Sequence, residues 1–394
     1  MTLTTKKNIL IFGGGILQKS IIQKCKDDGI ITIVIDPSHN AICKNVADFY
    51  EVIDGNDFKG TCNVVEKYSV SGILTAATDK PLIMMAKIAK KYDLPFFSVK
   101  TAELTTDKFQ MKEVFRLNGL PHADGKLIEG ISEDLIFPAI LKPRDNSGSR
   151  GVILCYTNDE AEKLISEVFT STKLSTVLYE EYIDGAEFSV EAVHTEDQTI
   201  VVQYTEKITT KFPYNVELGH IVPAELGDES KEKINLLIEK IANSFQYKNC
   251  VSHTELKIKK DGEICIIETS PRLGGDYITS DLVPLSTSVD IERCLIDLSL
   301  GKNLTNVICK NSGSVGIFYF NFAPGTINRL NSQLNSVKDS RIIKKEINIE
   351  EGEKVPDIRS SLDRYGFFIL KSDNRKNLLI EKETIMWKLE NIIL

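Results

Sequence analysis

The sequence is poor in the residues that build metal clusters. Histidine occurs five times in 394 residues, and no two of the eight cysteines (25, 43, 62, 155, 250, 265, 294 and 309) have C-x-x-C spacing. That spacing argues against a zinc ribbon and a thioredoxin-type redox site. The cysteines are scattered among apolar neighbours, so buried free thiols in a reducing cytosol are expected. No apolar run reaches the roughly 18 residues of a membrane span. "NILIF" follows Lys6-Lys7 but stops at Gly13-Gly14-Gly15, so it reads as a strand rather than a signal peptide. A soluble, cytoplasmic protein with no membrane association is the expectation. Basic charge is also short: the net charge of −8 argues against a nucleic-acid binder, yet leaves room for a local basic pocket. Internal repeats and low-complexity tracts are absent, and so is a G-x-x-x-x-G-K-[ST] phosphate loop.

What is present is an ordinary globular composition, 42% hydrophobic and 26% charged, in a chain too long for one core. Residues 1–104 alternate short β-rich runs ("NILIF", "ITIVI", "FYEVI", "GILTA") with helical spacing, which predicts a parallel sheet with crossover helices. "GGGILQKS" after the first strand, with Asp36 ending the second, is not G-x-G-x-x-G and reads as a structural turn. A helix is expected over 105–121, capped by Thr105 or Thr106 and stopped by Gly119 and Pro121. Thr157 to Glu160 is a capping box opening the next helix. The strands "STVLYEEYI" and "EFSVEAV" then complete a small α+β unit. From about 310 the pattern is antiparallel α+β with a terminal helix. The expected division is 1–104, 105–309 with a small lobe at about 138–203, and 310–394.

Three stretches carry chemistry. Arg144 to Gly151 is a glycine- and serine-rich loop between strands, preceded by Lys142. Its exposed N–H groups and hydroxyls can wrap a polyphosphate, or it is a plain flexible hairpin. "VLYEEYIDGAEFS" holds Glu180, Glu181 and Ile183 on a strand end with Glu187 beyond. An extended backbone there can read the edge of adenine, and Glu187 can grip ribose hydroxyls; a solvated strand end is the plainer reading. The third, "VSHTELKIKKDGEICIIETSPRLGGD", is a hairpin signalled by Asp261-Gly262. Folding it there pairs Leu256 with Ile267 and Ile258 with Cys265, and sets Glu255 opposite Glu268. Facing carboxylates repel unless one protonates, a cation sits between them, or solvent screens them. Oxygen ligands with phosphate favour Mg²⁺. Ser270 returns to the same face, and Arg272 offers a fork for a carboxylate or phosphate.

Together these stretches resemble the ATP-grasp superfamily over nearly the whole chain. The resemblance implies a three-domain α/β and α+β architecture: a Rossmann-like pre-ATP-grasp domain, a two-lobed core and a C-terminal α+β domain. "DKFQMK" and "ILKP" look like the two phosphate-contacting lysine segments, which puts that role on Lys108 and Lys142. "RDNSGSRGV" looks like the mobile loop over the triphosphate, with Ser147, Gly148, Ser149 and Gly151 as contacts. "YEEYIDGAEFS" looks like the adenine hinge with its ribose glutamate, Glu187. "HTELK…IIETSPR" looks like the metal site, with Glu255 and Glu268 as ligands. Ser270 stands where many members have asparagine, which puts the second metal's coordination in doubt.

Within that superfamily the resemblance is to the L-amino-acid ligases. "FPYNVELGHIVPAEL" looks like their substrate strand, which implies that Glu217 holds an amino group and His220 lies by the carboxylate. Arg272 matches their arginine beside the acyl phosphate, and "KVPDIRSSLDRYGFFILKSDN" looks like their C-terminal domain. The implied cofactors are ATP and Mg²⁺, with Mn²⁺ as a substitute, and the partners are a small carboxylate and an amine; a homodimer is compatible. The implied catalytic set is Lys142, Arg272 and His220, the last as a donor to the developing oxyanion. A carboxylating or purine-pathway ligase that activates bicarbonate or formate is the alternative. A nucleotide-binding module without turnover is a third reading, opposed by the presence of Lys142, Glu255, Glu268 and Arg272.

Overall fold

The computed structural model describes residues 7–304, 307–328, 330 and 341–390. Strands β1 (Asn8–Phe12), β2 (Ile31–Asp36), β3 (Phe49–Val52) and β4 (Gly72–Leu74) form a parallel sheet in the order β3-β2-β1-β4. β1 and β2 are apolar on both faces because helices cover both sides. The glycine run after β1 turns back sharply: Gly13 has φ +94°, and the Gly14 N–H donates to Asp36 Oδ2 at 2.8 Å. Asp36 therefore ties down a turn.

The stretch expected as one helix from 105 is two. Val99–Thr106 ends where Lys108–Leu117 begins, and Asp107 caps the second through the N–H groups of Phe109 and Gln110. Thr105 and Thr106 instead bond back to carbonyls of the first helix. A carboxylate at the junction outcompetes the two hydroxyls because it also faces the positive end of the helix dipole.

A small antiparallel sheet follows, built of β5 (Gly125–Ile128), β6 (Ala139–Lys142), β7 (Ile153–Cys155) and β8 (Val177–Glu181) in the order β5-β8-β6-β7. Thr157 caps the helix Asn158–Thr170 through the Glu160 N–H, while the Glu160 carboxylate reaches the N–H of Tyr156. The large sheet has eight strands: β9 (Ala186–His194), β10 (Thr199–Thr209), β11 (Glu217–Val222), β12 (Cys250–Ile258), β13 (Ile264–Ser270), β14 (Ser314–Tyr319), β15 (Ile342–Ile347) and β16 (Gly366–Ser372). Their order is β13-β12-β9-β10-β11-β14-β16-β15. β9 and much of β10, grouped with the small lobe on sequence, thus belong to the large sheet. The C-terminal strands extend that same sheet rather than forming one of their own. All eight cysteines are free; six are buried, Cys294 is half-buried, and Cys309 is exposed, against expectation.

The hairpin β12–β13 keeps Glu255 opposite Glu268, but the pairs below them differ from the simple fold. Ile258 meets Ile264, Lys257 meets Cys265 and Leu256 meets Ile266. The turn uses three residues, with Gly262 at φ +86°, and a bulge beside Glu255 then restores the register. The two offsets cancel, so the carboxylates face each other for a reason the simple turn did not contain.

On β9, His194 is buried and bonded to Ser252 (2.7 Å) and Thr199 (3.0 Å). Burial pushes its pKa from 6.5 down to about 3. The unfolded chain takes up this proton below pH 6.5 and the folded chain does not. Stability from this residue is therefore full above pH 6.5 and falls toward pH 3, by roughly 1.4 kcal/mol per pH unit. Acid denaturation followed by circular dichroism should be shallower in that window for His194→Gln; an unchanged slope would remove His194 as the cause.

Candidate active site

A cleft lies between the small sheet and the large one. Strand alternation places its floor. On β12, His253, Glu255 and Lys257 share a face, and their partners on β9 are Glu191, Ser189 and Glu187. Lys207 on β10 lies opposite His220 on β11. Charged groups thus alternate in sign across one sheet face.

Each of the facing carboxylates has its own lysine. Glu255 is 2.7 Å from Lys207 Nζ, and Glu268 is 2.9 Å from Lys108 Nζ. Burial opposes the charge on Glu255, but Lys207 and His253 outweigh it and hold the carboxyl well below the usual range. Lys207 is raised in turn, because Glu255, Glu217 and Glu187 outweigh its burial. Beneath Glu255, His253 bridges two carboxylates, with Nδ1 2.6 Å from Glu191 and Nε2 3.2 Å from Glu255. Burial opposes its charge, yet the carboxylates push it up to about 9.

At the other wall, Glu180 is buried between Lys142 (2.8 Å) and Lys112 (2.7 Å). Its carboxylate is thus a lysine anchor rather than a free hinge group. Burial, followed by repulsion from Lys142, lowers the pKa of Lys112 even though Glu180 opposes the change. Two lysines for one carboxylate leave a surplus positive charge, which suits an anion.

The loop 144–151 folds over this wall. Lys108 Nζ donates to the Asn146 carbonyl at 2.8 Å, and Ser149 Oγ lies 3.2 Å from Glu217. Gly148 and Ser149 both have positive φ. Ser147, Gly148 and Ser149 line the cleft; Gly151 does not, and packs against Ser171 and Pro143. Glu181, Ile183 and Glu187 also line it. The Glu181 N–H already donates to the Asp124 backbone carbonyl, and the Ile183 carbonyl accepts from Lys257. Glu187 is held by Lys257 at 3.1 Å and Asn215 at 2.8 Å.

Besides Gly151, three predicted residues fall outside the cleft lining. Ser270 donates to Asp79 at 2.7 Å, and Arg272 grips the same carboxylate with Nε at 2.9 Å and Nη2 at 3.1 Å. Ser270 thus spends its hydroxyl proton on Asp79 rather than on the Glu255/Glu268 pair. Burial opposes ionisation of Asp79, but Arg272 holds it at about 2. His220, 2% exposed, points Nε2 at Asp276 (3.1 Å), and Arg364 clamps Asp276 at 2.6 and 2.7 Å. Burial opposes ionisation of Asp276 too, but Arg364 holds it far below the usual range. An ionised Asp276 calls for a proton on Nε2, and Nδ1 is left without a protein partner.

Among the described residues no group of three or more His, Cys, Asp or Glu could hold a metal by itself. Two acidic oxygen donors fit a Mg²⁺ ion that takes its remaining ligands from phosphate and water, as that ion commonly does. No described helix is long and apolar enough to cross a membrane. Sequence reading missed Asp79, Lys112, Lys207, Asp276 and Arg364. Lys112 could have been found four residues after Lys108 on one helix face.

Residues 135–281 match the ATP-grasp domain model. An alanine–anticapsin ligase of Bacillus amyloliquefaciens is 26% identical over 268 residues, covering 61% of this chain and 56% of that protein. The chain thus spans little more than half the length of that relative. A solved L-amino acid ligase from Bacillus licheniformis superposes with a TM-score of 0.84 at 19% identity, covering 99% and 98% of the two chains. Phosphoribosylglycinamide synthetase from Anaerococcus prevotii superposes at 0.76 with 22% identity, covering 99% of each. Residues 135–281 thus match an ATP-grasp domain, the chain shares the fold of these solved structures over nearly its whole length, and ligases stand among the proteins it is similar to.

Proposed function

We propose that the chain is an ATP-dependent carboxylate–amine ligase whose acid substrate is an amino acid. The observation that supports this best is the convergence on one cleft of Lys108, Lys142, the 146–149 loop, the Glu255/Glu268 pair and Glu217. A carboxylate is a poor electrophile, because its leaving group would be oxide. Attack of its oxygen on the γ-phosphorus of ATP, with ADP leaving, gives an acyl phosphate. Attack of an amine on the acyl carbon then forms the amide, expels phosphate and releases a proton.

Catalysis in such a sequence is positioning plus charge neutralisation. Lys108 and Lys142 draw the phosphates into the cleft, and the loop amides and hydroxyls close over them. Glu255 and Glu268 would hold Mg²⁺, which neutralises charge at the transferring phosphoryl group. As phosphate binds, Lys108 can exchange its contact with Glu268 for a phosphate oxygen, freeing that carboxylate. Glu187 is placed for ribose. Glu217 holds the substrate ammonium, and His220 Nδ1 accepts from an amino N–H rather than stabilising an oxyanion. Arg272, oriented by Asp79, keeps N–H groups for the acyl phosphate.

A phosphate-release screen over pairs of amino acids with Mg-ATP tests the reading. Release that needs both an amino acid and a second amine supports it. Release with bicarbonate or formate and no amino acid would favour the carboxylating or purine-pathway alternative, which the fold likeness to phosphoribosylglycinamide synthetase keeps in view.

A further inference from the structure

We infer that Arg364 is a positioning residue that joins closure of the 146–151 loop to assembly of the acid-substrate site. The inference rests on the reading of Glu217 and His220 given above. Arg364 lies beyond the matched domain, on the short segment before β16, and is only 9% exposed as a side chain. Its guanidinium reaches three separate parts of the molecule. Nη1 and Nη2 clamp the two oxygens of Asp276, at 2.6 and 2.7 Å, and Asp276 in turn fixes the His220 ring. Nη1 also donates to the backbone carbonyl of Glu217 at 3.3 Å. Nε donates to the Ser361 carbonyl at 3.0 Å, and the Ser361 hydroxyl donates to the Gly148 carbonyl at 2.9 Å.

The planar group is held flat as well, 3.8 Å from the centre of the Tyr319 ring. An arginine so placed spans a fork contact and a stacking contact that lysine cannot reproduce together. Two further observations point to a built device. Asp276 and Tyr277 are consecutive non-glycine residues with φ +51° and +60°, a costly backbone that persists only where its surroundings impose it. Gly148, with φ +68°, holds a backbone conformation that a side chain would strain, and it lies directly against Ser361, whose Oγ would be 2.6 Å from a Cβ there. With the loop seated, Ser149 meets Glu217, so phosphate cover and acid strand come together across one arginine.

The test compares full-length wild type with Arg364→Ala, Arg364→Lys and Ser361→Ala. Hydrogen exchange of 146–151 is measured with and without Mg²⁺ and a non-hydrolysable ATP analogue, and Michaelis constants are measured for acid and ATP. Ser361→Ala should weaken nucleotide-dependent protection of the loop and, because the Asp276 clamp stays in place, raise the acid constant less than Arg364→Ala does. Arg364→Ala should weaken protection and raise the acid constant about ten- to hundredfold, the worth of a charge-assisted hydrogen bond. Added guanidinium should restore part of the acid effect, which a merely structural defect would not allow. If Arg364→Ala does not fold, Arg364→Lys carries the comparison, since it keeps the charge and loses the fork. Loop protection unchanged in the folded Arg364 variant would overturn the coupling. An unchanged acid constant would overturn the positioning role. If Glu217→Ala proves silent toward acid while Arg364→Ala still loosens the loop, the amino-acid reading fails and the coupling stands.

Discussion

Glu255→Gln and Glu268→Gln should each lower ATP turnover by roughly a thousandfold or more, the equivalent of several kcal/mol of lost charge stabilisation at the phosphoryl group. Their stabilities should differ. On repulsion alone, removing either carboxylate would leave the nucleotide-free protein as stable as before, or more so. The lysine partners change that expectation. Lys207 is 3% exposed, and without Glu255 its nearest carboxylate is Glu217 at 3.6 Å. Stripping one partner from a fully buried pair costs roughly 3–5 kcal/mol. Glu255 is 23% exposed and His253 also loses its contact, so a loss of about 1–3 kcal/mol is expected. Lys108 and Glu268 are each partly exposed, and Lys108 keeps the Asn146 carbonyl, so Glu268→Gln should lie within about 1 kcal/mol of wild type. Phosphate release with Mg-ATP measures the first effect, and calorimetric melting without nucleotide measures the second. A full-rate Glu268→Gln enzyme would sink the metal reading; equal melting temperatures for the two variants would sink the lysine account.

Local pattern carried much of the fold. Alternating apolar runs located the parallel strands, and Asp261-Gly262 located the hairpin, because those signals act within a few residues. The register inside that hairpin was not legible, since the extra residue, Ile267 on the strand facing Glu255 and Leu256, is a bulge with no composition cue. Sheet membership of β9, β10 and β14–β16 was likewise hidden, because pairing between strands far apart in sequence leaves no local trace. The site shows the same division. Acidic and basic residues within a motif could be picked out, but their partners could not: Asp79 meets Arg272 across 193 positions, and Arg364 meets Asp276 across 88. Lys112, His253 and Lys257 stood at spacings that place them beside residues already chosen, four along a helix from Lys108 and two along a strand on either side of Glu255.

In the proposed reading Glu217 and His220 are the residues that mark an amino-acid substrate, and their substitutions should part binding from rate. A desolvated ammonium without a charged partner costs several kcal/mol, so Glu217→Ala should raise the Michaelis constant for the acid about a hundredfold. The constant for ATP should move far less, although Ser149 loses its contact with Glu217. Lys207 keeps Glu255 at 2.7 Å, so the variant should remain folded. In the proposed reading His220 acts through Nδ1, a buried nitrogen with no protein partner, while Nε2 is fixed on Asp276. His220→Asn and His220→Ala should therefore raise the acid constant and also lower the turnover rate, because an acceptor for an amino N–H serves both the bound substrate and its transition state. A donor to the oxyanion would leave the acid constant in place and lower the rate alone. An amino acid and its des-amino analogue, measured with both variants, make the decision. A Glu217→Ala enzyme that holds its acid constant and its rate would end the amino-acid reading and move the simpler-acid alternative ahead. An acid constant unchanged in His220→Ala, with the rate reduced, would return His220 to the oxyanion.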